Sequence, residues 1–286
     1  MDKIALLADI HGNLAALEAV IADLERWQPD TVIVAGDIIN RGPQSGACLD
    51  LCLRLAAERG WHLMRGNHER YILSYDRDHR DPSFPQSGPR YELMRGTAWT
   101  HAQVAHQIAT LAALPEQVRI ALGHDETLVV YHASVRHDRD GMYAKAAAQE
   151  LHNQIEPTAT IFAVGHTHMP FVRRLGPTLI VNTGAVGLPF DGDRRAAYAR
   201  LQRRRTGWQA QIRRLDYDYA ATLHSFRNEG MLVAVGALGP LMLREIETGQ
   251  SLIFSFIPTY HAQITAGVIS FDAAVHEFLA HNERVA

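Results

Sequence analysis

The chain has 286 residues, 47 % of them apolar and only two of them cysteine, with a formal charge of −3. That length fits one large α/β domain, or one domain carrying an appendage. The balanced charge lacks the basic excess that a sequence-independent grip on nucleic acid or an anionic membrane requires.

Along the first two thirds, short β-rich apolar runs alternate with helical patterns. Ile4–Ala8 leads into an amphipathic stretch from Leu14 to Trp27, Thr31–Ala35 into a helical stretch from Ser45 to Arg59, and Trp61–Met64 into the neighbourhood of Tyr71. This rhythm predicts a mainly parallel sheet with helices packed on it. Cys48 and Cys52, four apart on one face of the second helix, read as small buried hydrophobes rather than a disulfide framework. Asp76 to Arg90 is polar with three prolines and reads as a surface loop, and His101 to Leu114 reads as a helix stopped by Pro115.

Strands then dominate: Val118–Leu122, Leu128–Tyr131, Thr160–Val164, Phe171–Leu175 and Thr178–Val181, interrupted by a helix from Ala144 to Ile155. Ala196–Leu201 and Trp208–Leu215 flank a polar run and read as a hairpin with Arg203–Arg205 at a solvated tip. After a helix from Ala220 to Asn228 the character changes. An apolar stretch, Met231–Leu243, is too short to span a bilayer and holds Gly236, Gly239 and Pro240. Two strand-like runs, Ser251–Ile257 and Ile264–Phe271, and a short helix from Asp272 to His281 follow. The expected division is a main domain over residues 1–229 and an appendage over 230–286. No basic segment precedes the first apolar run as in a secretory signal, so the expected setting is soluble and cytoplasmic.

Five apolar runs end in the same kind of residue. They lead to Asp9 and His11, to Gly36-Asp37, to Gly66-Asn67-His68, to His132, and to Gly165-His166-Thr167-His168. Ligands of open α/β sheets bind outside the carboxyl ends of the strands, and adjacent strand ends lie about 4.8 Å apart, so residues scattered along the chain can converge there. The spacings Asp-x-His and His-x-His put both side chains on one side of an extended chain. Imidazole and carboxylate without thiolate favour Mn, Fe, Zn, Co or Ni over Mg or Ca. Asp9, His11, Asp37, Asn67, His132, His166 and His168 are too many for one tetrahedral ion and suit two that share a carboxylate. Two divalent ions against two aspartates and a hydroxide leave a net positive site, suited to phosphate. Glycines 36, 66 and 165 each precede a candidate ligand and allow tight turns and close backbone approach.

The series Asp-x-His, Gly-Asp, Gly-Asn-His-Glu, His, Gly-His-Thr-His resembles the calcineurin-like metallophosphoesterase superfamily over about residues 1 to 220. His132-Ala133-Ser134 and Asn182 to Pro189 look like its bacterial phosphodiesterase-like branch. Gly36-Asp37-Ile38-Ile39-Asn40-Arg41-Gly42 resembles a Ser/Thr protein phosphatase motif, with Asn40 in place of an acid. The resemblance implies an α/β/β/α sandwich of two facing mixed sheets flanked by helices, and hydrolysis of phosphate esters by a hydroxide bridging two metals, manganese among the candidates. It implies Asp37 as the bridging carboxylate, Asp9, His11 and His168 on one metal, Asn67, His132 and His166 on the other, and His68 as the general acid.

Arg41 follows Asp37 by four residues in a loop leaving a metal-bearing strand end, where a guanidinium suits phosphate oxygens. The alternative is an arginine paired with a nearby acid. The substrate expected is a small phosphate ester or nucleotide, most readily a diester. Phosphomonoester, phosphoprotein, dinucleoside tetraphosphate and nucleic-acid substrates stay open, as does an oligomer; no membrane partner is indicated. A scaffold without activity is the non-enzyme alternative, and it predicts lost ligands or a lost general acid, which this sequence retains.

Overall fold

The computed structural model describes residues 1–283, so the last three residues of the expected appendage lie outside the described residues. The first unit alternates β1 (Lys3–Leu7), α1 (Leu14–Trp27), β2 (Thr31–Ala35), α2 (Ser45–Arg59) and β3 (His62–Met64). Helices α3 (Asn67–Asp78), α4 (Pro89–Val104) and α5 (Ile108–Ala113) follow, so the polar proline-rich loop is shorter than expected and Pro89 opens a helix, where its missing N–H costs nothing. The second unit comprises β4 (Gln117–Gly123), β5 (Glu126–Tyr131), α6 (Ala148–Gln154), β6 (Ile161–Val164), β7 (Phe171–Leu175) and β8 (Thr178–Asn182). The hairpin β9 (Ala196–Arg204) and β10 (Gly207–Leu215) returns to the first sheet.

Two mixed five-stranded sheets result, ordered β10-β9-β1-β2-β3 and β4-β5-β6-β8-β7. Strands β1, β2 and β3 run parallel, as do β5, β6 and β8; the remaining neighbours are antiparallel. Strand alternation assigns each face to its own core. Ile4, Leu6, Ile33 and Ala35 meet Leu128, Val130, Ile161 and Ala163 between the sheets. Ala5, Leu7, Val32 and Val34 face α1 and α2. On the far side Val129, Phe162 and Val164 pack with Leu151 and Ile155. Cys48 and Cys52 are unpaired and fully buried in the α1–α2 core, where burial pushes the Cys52 thiol up to about 12.

Beyond β10 the chain is helical: α7 (Tyr219–Asn228), α8 (Met231–Val235), α9 (Gly239–Thr248), α10 (Ile253–Thr265) and α11 (Phe271–Glu283). The expected strands at Ser251–Ile257 and Ile264–Phe271 are therefore wrong. Leu252, Phe256, Tyr260 and Ile264 are the buried positions, four apart, so one helical stripe packs against Phe271, Val275 and Phe278. Met231, Val235, Met242 and Ile246 join this segment to Leu188 and Phe226, with Trp99 of α4 alongside. Among the described residues no helix is long and apolar enough to cross a membrane.

Candidate metal centre

The carboxyl ends of β1, β2, β3, β5 and β6 lie together, and the residues just past them form one buried cluster. Asp9, His11 and His168 bring donor atoms within 4.8 Å of one another, and so do Asp37, His132 and His166. His11 also groups with Asp37 and His68, so Asp37 faces both halves. The His11 and His168 Nε2 atoms are 3.2 Å apart, and His168 Nε2 lies 3.4 Å from Asp9 Oδ1. His132 Nε2 lies 3.2 Å from Asp37 Oδ2 and 3.0 Å from Asn67 Oδ1. All seven candidate ligands are thus brought together.

The surrounding backbone orients them. A carbonyl can only accept, so a ring nitrogen bonded to one must carry the proton. His132 Nδ1 donates to Ala35 O at 2.8 Å, His168 Nδ1 to Leu188 O at 2.5 Å, and His11 Nδ1 reaches Ile39 O and Asn40 O at 3.3 Å each. Each ring thus turns its Nε2 to the shared volume, the arrangement that orients imidazole ligands in metal sites. Asp37 Oδ1 accepts the His68 N–H at 2.8 Å and Asp9 Oδ2 the His166 N–H at 2.9 Å, while Asp9 Oδ1 is buried with no hydrogen-bond donor in the protein. A buried carboxylate oxygen without a donor is costly, and so are two imidazole lone pairs facing each other. This donor set fits divalent ions.

The electrostatics follow from crowding. Burial, reinforced by His68 and His168, holds His11 well below its ordinary value, and burial holds His166 at about 4 and His68 at about 3. Burial also opposes charge on His132, yet the Asp37 carboxylate outweighs it and raises that imidazole to about 10.

Main-chain shape is part of the site. Asp9, His11, Asp37, His166 and His168 all have positive φ, between 49° and 66°, as do Asn40 and Arg41 at 71° and 70°. The loops after β2 and β3 cross so closely that a Cβ on Gly36, whose φ is +85°, would sit 2.4 Å from Gly66 N. Glu69 closes the Gly-Asn-His-Glu motif, whose residue types alone assign it no role. Its buried carboxylate accepts the backbone N–H groups of Asp37, Ile38 and Gly66 at 2.8, 2.8 and 2.7 Å, binding the crossing loops together. Asn182, to which the sequence alone assigns no role, donates to Gly165 O and Thr167 Oγ1 at 2.9 Å each and braces the loop of His166 and His168.

The cluster opens into a cavity of about 430 Å³. His68 borders it, with its ring edge-on to His11 at 4.8 Å and no partner for its buried Nδ1. Arg41 lines it too and is paired with an acid, Glu245 of α9. Tyr71, Tyr143, Phe190, Phe254 and Arg139 complete much of the wall. Away from this site, Asp76, His79 and His101 form another small group where α3 meets α4, with Asp76 and His101 bonded at 2.8 Å.

Two facing sheets with a buried Asp/His/Asn cluster at their strand ends define a metallophosphoesterase, a hydrolase of phosphate esters. The calcineurin-like phosphoesterase superfamily domain matches residues 2–205, and the chain belongs to that superfamily. It is similar to the crystal structure of a metallophosphoesterase from Sphaerobacter thermophilus, with 26 % identity, a TM-score of 0.64 and 87 % of this chain and 99 % of that chain covered. It is 24 % identical over 237 residues, 75 % of this chain and 88 % of the relative, to an uncharacterized protein of Methanocaldococcus jannaschii. It is also 27 % identical over 147 residues to a symmetrical bis(5'-nucleosyl)-tetraphosphatase of Hamiltonella defensa, a match spanning 51 % of this chain and 49 % of that enzyme.

Proposed function

We propose that this chain hydrolyses phosphate esters, diesters first, with two divalent transition-metal ions held by Asp9, His11, Asp37, Asn67, His132, His166 and His168. The observation that carries the reading is Asp37, a carboxylate facing both donor groups, whose neighbours His11 and His132 have their other ring nitrogens directed at carbonyls. The chemistry such ions supply is positive charge for the phosphate oxygens and a water made acidic enough to attack phosphorus. Asp9 and Asp37 offset part of the ions' charge, and the surplus attracts an anionic substrate.

In this proposal His68 delivers the proton that the leaving oxygen needs. Burial keeps its imidazole neutral before substrate enters. An approaching phosphate anion favours the protonated ring, so proton uptake accompanies binding. Arg41 grips a phosphate oxygen from the side of the β2 loop.

A second reading, cleavage of a dinucleoside polyphosphate, is favoured by the partial match to the tetraphosphatase and by a cavity that offers two guanidiniums and several aromatic rings. Metal analysis of purified protein together with a panel of aryl phosphodiesters, monoesters and dinucleoside polyphosphates tests both. Two ions per chain and diester turnover are expected; metal-free protein that is equally active would sink the proposal.

A further inference from the structure

Glu245 lies on α9, outside the strand-end loops, yet its fully buried carboxylate reaches the site. It accepts the Leu252 and Ile253 backbone N–H groups at 2.8 and 2.9 Å, where α10 begins, and it pairs with the Arg41 guanidinium. Ser251 and Phe254, flanking those two amides, line the same cavity as Arg41. One carboxylate therefore ties an arginine beside His11, Asp37 and His68 to the helix turn that forms part of the cavity wall.

The charge arrangement leaves Arg41 able to bind an anion. The two amides at the start of α10 share the work of stabilising the carboxylate, so the guanidinium is not its sole counter-charge. Arg41 Nε is buried with no partner in the protein, so a donor remains to be satisfied. The Arg41 backbone is left-handed, with its N–H bonded to Asn40 Oδ1 at 2.8 Å. Phe254 lines the same cavity and is 78 % exposed, so its ring is open to a group entering beside Arg41.

We infer that Glu245 is a positioning residue for substrate. It aims Arg41 at the phosphate and, through Leu252 and Ile253, sets the distance from Arg41 to Phe254, so the C-terminal helices favour esters whose alcohol group is bulky and aromatic. The inference rests on the proposed phosphate-ester site.

The test uses the full-length, metal-loaded protein and inorganic phosphate as probe, read by calorimetry and by competitive inhibition. Glu245→Gln and Arg41→Ala should each weaken phosphate binding about tenfold or more, the scale of one lost bond to a charged group. Metal content should not change, and the double variant should bind no worse than Arg41→Ala alone, because Glu245 acts through Arg41. Additive losses, or a Glu245→Gln protein that is less stable but binds phosphate normally, would overturn the inference. If Glu245→Gln does not fold, Arg41→Lys keeps the charge but not the fork, and unchanged phosphate binding there has the same overturning force. Phe254→Ala should raise KM for a 4-nitrophenyl diester several-fold more than for a methyl diester; equal effects would remove the aromatic preference. Phosphate binding can be read with no turnover at all, so a failed esterase panel and a failed Glu245–Arg41 coupling remain separate results.

Discussion

Glu69 and Asp37 are 32 positions apart in the chain, and the carboxylate of one accepts the backbone N–H of the other at 2.8 Å. Glu69 Oε1 takes the next amide, Ile38, also at 2.8 Å. Both oxygens are thus committed as acceptors at the base of the site. Glu69→Gln puts an amide donor where one oxygen accepts, leaving buried N–H groups unpaired. The expected cost is roughly 3 kcal/mol, or a fall in thermal midpoint of about 6–12 °C. Calorimetric melting checks it; a midpoint within a degree of the parent would show that the loops do not depend on this carboxylate.

Asp37→Asn should lower bound metal at both positions, because it removes the carboxylate that faces both donor groups. Elemental analysis after equilibration with Mn²⁺ or Zn²⁺ reads this directly. Loss of one ion with the other retained at full occupancy would assign Asp37 to a single site.

His68→Asn should reduce kcat by about 10²–10⁴, the range for a missing general acid, with metal content retained. The deficit should shrink for 4-nitrophenyl esters, whose alcohol leaves without a proton. Should metal disappear together with activity, His68 is a ligand, as its grouping with His11 and Asp37 allows.

Asp23 offers a test of stability remote from the site. It is 5 % exposed and bonds Tyr198 Oη at 2.8 Å and Arg200 Nη2 at 2.7 Å. Burial opposes its ionisation, but the Tyr198 bond and the Arg200 charge prevail, and its carboxyl is held below the usual value. A depressed folded value stabilises the fold above the unfolded pKa, near 4, and that contribution fades as pH falls through the folded value. Asp23→Asn should therefore be less stable by about 2 kcal/mol at pH 7, with the gap closing below about pH 4. Urea titrations at several pH values decide it; a gap independent of pH would remove the charge from the explanation.

The strand ends were legible because alternating or continuous apolar runs stop abruptly at Asp, Asn or His, and sheet geometry does the rest. Helices α1 and α2 match the expected spans for the same reason, a clean apolar period. The C-terminal segment misled because Ser251–Ile257 mixes serine with apolar residues at strand-like spacing, and Pro258, inside α10, hides the four-residue stripe of Phe256, Tyr260 and Ile264. Contacts such as Arg41–Glu245, 204 positions apart, carry no local signal at all. The role of Glu69 was hidden differently: its partners are backbone amides, and a motif of side chains does not reveal them.

Left-handed bends at the proposed ligands Asp9, His11, Asp37, His166 and His168 would tie the proposed coordination chemistry to backbone chemistry. Aspartate, asparagine and histidine are the non-glycine residues that best tolerate positive φ, and they are also sound donors to transition metals. The two alphabets coincide at these positions. A glutamate would coordinate as well as an aspartate, yet it suits the bend poorly, so evolutionary drift among ligand types should be narrower here than metal preference alone permits. Transplanting the side chains onto another parallel sheet would fail for the same reason unless the bends travelled with them.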